Sequence, residues 1–266
     1  HWRFRDARRI HDHWPQPVAM PDSTASPRPA LDLLLDGMTA AATVAGRPPV
    51  RLLAVSKTQS AEAIADVAAT LSARNAVPVA FGENYVQETL AKQPALVGLG
   101  IEWHLIGHLQ SNKTKQAAAA FDWVQTVDRP QLIESLAKYR TAAQPPLNVL
   151  IQVNIDDEAS KHGCRPDDIA ALADAIARQP SLRLRGLMAI PAPDPDMGRR
   201  RDAFRSMREL FDRLAVRHAG IDTLSMGMSE DYALAIAEGA TMVRIGSALF
   251  GARAPKSVSD PTPETA

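Results

Sequence analysis

The chain is short of cysteine and net charge, and it has no long apolar run and no glycine-rich nucleotide turn. Each shortage excludes a class of protein. Cys164 is the single cysteine in 266 residues, so no intrachain disulfide can form and a reducing compartment is expected. Lys plus Arg and Asp plus Glu both number 30, which leaves no global basic field to hold nucleic acid or an anionic membrane. No apolar run approaches the ~20 residues of a transmembrane helix. After the first apolar segment stands Ser56-Lys57-Thr58-Gln59, not the glycine-rich turn of a dinucleotide-binding sheet. A cytoplasmic protein without nucleic-acid or membrane partners is expected.

What is present is an ordinary apolar fraction, 45%, enough for a sizeable core. Residues 1–29 stand apart from it. His1 to Trp14 is rich in Arg and His, and Pro15 to Pro29 holds five prolines among Ser, Asp and Thr, the composition of a disordered linker. Residues 1–19 are expected to be an upstream extension, with Met20 as the natural start. An Arg-rich targeting arm is the alternative. The tail 255–266 is polar, Pro-rich and expected to be disordered.

Between them, residues 30–254 alternate apolar strand segments with helical patterns. Strands are expected at Leu52–Ser56, Val77–Gly82, Glu102–Ile106, Trp123–Val127, Asn148–Asn154, Leu184–Ile190, Thr223–Met226 and Met242–Ile245. Helices fall between them. Among these, Ser60 caps one, Pro130 opens another, and a third runs from Ser229 to Glu238. Eight such units with no break predict an α/β fold, a single (β/α)8 barrel of the TIM type. An open doubly wound sheet is the runner-up.

Functional groups in such a barrel sit at the carboxyl ends of the strands. Lys57 ends strand 1. An amine there, at the rim of a core, suits covalent capture of an aldehyde; a solvated loop lysine is the plainer alternative. The loops after strands 7 and 8 are the common phosphate site of this fold. Met226-Gly-Met-Ser229 offers backbone N–H groups and the Ser229 hydroxyl there, and Gly246-Ser247 repeats the device one strand later, although Ser229 could equally be a helix cap. Arg244 interrupts an apolar strand and needs a partner: either an ion pair with Glu83 or Glu102, or a ring nitrogen of a ligand. His104 and His108 lie either side of Gly107 with nothing to complete a metal set at helical spacing, so no metal is expected. Cys164 has no catalytic partner and reads as an incidental thiol.

Five segments in order carry a family resemblance. They are Ala54-Val-Ser-Lys-Thr58; Phe81-Gly-Glu-Asn-Tyr-Val-Gln-Glu88; Trp103-His-Leu-Ile-Gly-His-Leu-Gln-Ser-Asn-Lys113; Gly186-Leu-Met-Ala-Ile-Pro191; and Ser225-Met-Gly-Met-Ser229 with Val243-Arg-Ile-Gly246. Together they resemble the pyridoxal phosphate homeostasis protein family, a single barrel similar to the N-terminal domain of alanine racemase. The resemblance implies that Lys57 holds pyridoxal 5′-phosphate (PLP) as an internal aldimine. It also implies that Asn84 and His104 line the cofactor, Arg244 meets the pyridine nitrogen, and Ser229, Gly246 and Ser247 hold the phosphate. Ser247 stands where Thr is usual, which keeps the hydroxyl. Gln59-Ser60 replaces a more usual basic–Pro pair.

Arg cannot give its proton to a pyridine, which leaves the cofactor a weak electron sink. The chain also stops soon after strand 8, where a racemase of this type would need a second domain. The expected function is therefore PLP binding and homeostasis without turnover, by a monomer that meets apo PLP enzymes transiently. A racemase-like PLP enzyme is the alternative. A third reading is a barrel for another phosphorylated metabolite, with Lys57 as a charge clamp. Lys161, in the loop after strand 5, is a solvated lysine or a second aldehyde contact.

Overall fold

The computed structural model describes residues 27–158 and 162–250. The expectations for residues 1–26, for Lys161 and for the tail concern residues outside those described. Eight strands close into a parallel barrel in chain order, β1 pairing with β8. They are β1 Arg51–Val55, β2 Ala80–Glu83, β3 Glu102–Leu105, β4 Trp123–Val127, β5 Leu147–Gln152, β6 Leu182–Met188, β7 Thr223–Ser225 and β8 Met242–Ile245. The helices are α1 Pro27–Val44, α2 Ala61–Ala73, α3 Val86–Lys92, α4 Thr114–Ala120, α5 Pro130–Tyr139, α6 Ile169–Ala177, α7 Met197–Arg217, α8 Tyr232–Ala237 and α9 Ser247–Phe250.

The closed barrel removes the open sheet from consideration. Local chemistry explains why the elements begin where they do. Ser60 caps α2, its hydroxyl accepting from the Ala63 N–H at 3.2 Å. Asp196 caps α7 through Gly198 N at 2.7 Å. Several onsets differ from expectation by a residue or more, and three of these differences have a local cause. Helix α1 starts at Pro27, inside the segment read as linker, because a first turn has free N–H groups and tolerates proline. Strand β2 starts at Ala80 and not Val77, since Pro78 has no N–H to give a ladder. Helix α8 starts at Tyr232 and not Ser229; residues 229–231 form a turn in which Asp231 Oδ1 accepts from Met228 N at 2.7 Å.

Alternation along each strand divides two cores. Outward residues such as Ala54, Phe81, Leu105 and Val243 pack under the helices in one large apolar layer. Inward residues fill the barrel in two small clusters, Leu53, Ala80, Ile106 and Met242 on one side and Trp123, Leu150 and Met188 on the other. Polar side chains occupy the rest of the interior and lead to the mouth.

Candidate cofactor site

The floor of the barrel is polar and paired. Glu102, first in β3, accepts from Arg51 Nη2 at 2.6 Å and lies 2.7 Å from His104 Nε2. Burial alone would raise the Glu102 carboxyl, but His104 and Arg51 outweigh it and hold the group down at about 2. His104 is completely covered and stacks on Trp123 with centroids 5.0 Å apart. Burial pushes its imidazole below the ordinary range, against the pull of Glu102.

From His104 a chain of hydrogen bonds climbs towards the mouth. Gln125 Nε2 lies 2.8 Å from His104 Nδ1, Ser225 Oγ donates to Gln125 Oε1 at 2.7 Å, and Arg244 Nη1 donates to Ser225 Oγ at 2.8 Å. The directions agree throughout. With Nδ1 accepting from Gln125, His104 carries its proton on Nε2 and donates it to Glu102. Of the two alternatives for Arg244, the ion pair with Glu83 or Glu102 does not form among the described residues. Its guanidinium bonds Ser225 and the Ala189 carbonyl, the latter at 2.8 Å. Burial lowers Arg244 to about 10, with Asp231 pulling the other way, so it stays charged at neutral pH.

Lys57 lies at the top of β1. Arg51, Leu53 and Val55 face inward, and Lys57 stands in the turn two residues beyond Val55, half-buried. The turn is strained: Thr58 has φ 66°, a left-handed conformation that a β-branched residue rarely adopts. Glu88 holds that turn by accepting from Thr58 N at 2.5 Å. Lys92, with only a tenth of its side chain exposed, bonds Ser56 O at 3.0 Å and bridges Glu83 and Glu88 at 3.0 and 2.5 Å. Ser56 Oγ also donates to Glu83 Oε1 at 2.5 Å. Burial raises Glu83 against the pull of Ser56 and Lys92.

The expected phosphate loops lie beside this lysine. Ser229 Oγ and Ser247 Oγ, from the loops after β7 and β8, approach to 3.2 Å. Gly246 presses on β1: a Cβ there would sit 3.2 Å from the Val55 carbonyl. Asn84 is half-buried after β2, its backbone so close to Gly107 that a Cβ on Gly107 would come within 2.1 Å of the Asn84 carbonyl. The folding thus gathers Lys57, Ser229, Gly246 and Ser247 on one arc of the rim, with Arg244 beneath. Asn84 stands on the next strand end. His104 is set deeper, its nitrogens engaged by Glu102 and Gln125, and reaches Arg244 only through Gln125 and Ser225. The sequence pattern does not single out Gln125 or Lys92, and it places Ser225 only at a strand end, not as a partner of Arg244. Gln125 had a signal, a lone amide in the apolar run of β4. Lys92 had none, since a Glu88–Lys92 spacing on a helix reads as a surface pair.

Residues 31–254 match the family model for the alanine racemase N-terminal domain. The pyridoxal phosphate homeostasis protein of Pseudomonas aeruginosa is 53% identical over 215 residues, covering 80% of this chain and 90% of that protein. The Escherichia coli K12 protein of the same name is 51% identical over 223 residues, covering 82% and 93%. The chain belongs to the pyridoxal phosphate homeostasis protein family. Among solved structures, PipY of Synechococcus elongatus PCC7942 with PLP bound superposes with a TM-score of 0.70 at 34% identity, covering 85% of this chain and all of that one.

Proposed function

We propose that this protein binds PLP through a covalent bond from Lys57 and serves to store and deliver it in the cytoplasm, without turnover of its own. The observation that carries the reading is the arc of β7, β8 and β1. It sets an amine at a strand end beside two converging hydroxyls, over a buried, permanently charged guanidinium. That donor set fits PLP: an amine for the aldehyde, hydroxyls and loop N–H groups for the phosphate, and Arg244 for the pyridine nitrogen. Asn84 borders the same mouth. The names of the relatives support the same cofactor and role.

PLP supplies an aldehyde and an electron-withdrawing ring. The chain's own residues bind it, orient it and restrain that ring. Arg244 is locked by Ser225 and Ala189 and keeps its proton, so it would donate a hydrogen bond to the ring nitrogen without protonating it. The His104–Gln125–Ser225 chain fixes the guanidinium from below. Ser56, Glu83, Glu88 and Lys92 hold the strained turn that presents Lys57. The protein acts as a monomer and hands the cofactor to apo PLP enzymes.

The test is solvent-deuterium exchange at Cα of a panel of amino acids, beside an equal concentration of free PLP. Exchange no faster than that control, together with transfer of PLP to an apo enzyme, is the expected result. Exchange ~100-fold above the control, equivalent to about 2.7 kcal/mol of barrier lowering, and lost in Lys57→Ala, would establish an enzyme instead.

A further inference from the structure

The rim opposite the Lys57 arc carries a second cluster, outside the PLP donor set. His108 follows β3, Asp128 follows β4, and His162 lies in the segment that returns from β5. One ligand atom from each lies within 4.8 Å of the others. The two imidazoles are exposed and stack with centroids 3.8 Å apart and planes 17° from parallel; Asp128 is half-buried. The spacing in sequence hides this set, because three separate loops supply it.

The segments bearing these side chains are stitched to one another. Thr126 Oγ1 donates to the Gly107 carbonyl at 2.9 Å, on one side of His108. Arg129 Nη2 donates to the Leu109 carbonyl at 2.9 Å, on the other side. Asp128 Oδ2 accepts from Gly163 N at 3.3 Å, next to His162. Cys164 N and O are in turn tied to Gln152 and Asn154, both at 2.9 Å, which fixes the base of the returning loop. The backbones are therefore held while the two rings lie exposed to solvent. Arg129, a cation beside the cluster, is anchored on Asp128 Oδ1 at 2.7 Å and on Leu109 O, so it is committed to the loop framework.

We propose that His108, Asp128 and His162 form a site for a divalent transition-metal ion of the zinc class. Two imidazoles and a carboxylate are a donor set that such ions favour, and three protein ligands leave a fourth position open to water or a small anion. Tetrahedral ligation with bonds of 2.0–2.1 Å needs donors about 3.4 Å apart, so the rings must leave their stack and close on Asp128. Exposed side chains on a braced loop can do so. The site does not depend on the PLP reading, although Gly107 links it to Asn84 across the rim.

The test is titration of the full chain with Co2+, followed by visible absorption and by displacement with Zn2+. One saturating site with the intense bands of four-coordinate cobalt is expected. His108→Ala and His162→Ala should each weaken it at least as much as losing an outer-shell partner does, about 10- to 100-fold, and the double variant should lose the bands. His1, His11 and His13 remain in every variant, so any uptake there is common to all and cancels in the comparison. Asp128→Asn, which keeps an acceptor for Arg129, should weaken binding by removing the charge. Absence of four-coordinate bands in the wild type would overturn the site. Bands and affinity unchanged in a correctly folded double variant would overturn it equally.

Discussion

At the floor of the barrel, Glu102 meets His104 and Arg51 at 2.7 and 2.6 Å, and Trp123 is flanked by the guanidinium groups of Arg185 and Arg51 at 4.6 and 5.8 Å. At the mouth, Ser229 and Ser247 meet only at 3.2 Å, Ser247 is exposed, and His108 and His162 stand in solvent. Both ends are built from polar groups in an apolar frame. The floor satisfies its charges internally and so serves stability. The mouth leaves polar groups exposed at the carboxyl ends of the strands, where binding is proposed. The Gln125–Ser225 pair joins the two, which means that damage to the floor should reach the mouth in attenuated form.

The largest effect should come from the floor. Glu102→Gln leaves Arg51 without its counter-charge and is expected to cost about 3 kcal/mol of folding stability in chemical denaturation, with little loss of PLP. The pH dependence has a fixed sign. Glu102 is held at about 2, below its ordinary 4.5, so the unfolded chain binds more protons between those values. The carboxylate's contribution is full above about pH 5 and is lost as pH falls towards 2. In Glu102→Gln that part of the acid destabilisation should disappear; a variant as acid-sensitive as the wild type would break the assignment.

Gln125→Ala should come next. It strands one donor or acceptor on each of His104 and Ser225, at roughly 1–3 kcal/mol per buried group. Unlike Glu102→Gln, it should also weaken PLP several-fold by loosening Arg244. An unchanged PLP affinity, measured by equilibrium dialysis, would show that the floor and the mouth are independent.

At the mouth the order reverses. Ser229→Ala should weaken PLP about tenfold, since one hydroxyl bond to a charged group is worth roughly 1.5–3 kcal/mol and the loop N–H groups remain. Its effect on stability should stay within about 0.5 kcal/mol. A Ser229→Ala, Ser247→Ala double variant with wild-type affinity would move the phosphate elsewhere. The smallest effect belongs to Cys164, whose thiol burial pushes up to about 12. It should resist thiol reagents in the native protein and react only on unfolding.

The difference between floor and mouth also explains what could be read in advance. Strands β4 and β8 and helix α5 fall where the pattern puts them, because turn residues and Pro130 bound them. The positions of Lys57, Ser229 and Ser247 at the carboxyl ends of β1, β7 and β8 follow from the strand pattern for a related reason; the roles proposed for them rest on that position. The floor was not legible in this way. Gln125, Ser225 and Glu102 are linked by register across β3, β4 and β7, and no spacing within one segment records that. Helix α8 was drawn too long because Ser229 resembles a cap, whereas Asp231 bonds Met228 N and delays the helix. The His108, Asp128 and His162 set was hidden by the same cross-strand geometry.

The most direct measurement is borohydride reduction of the purified protein followed by peptide mapping. Lys57 is the only residue expected to carry the reduced cofactor, and Lys57→Ala should carry none while remaining folded. Label on Lys92, Lys113 or Lys161, or no label on a protein that retains PLP, would contradict the account.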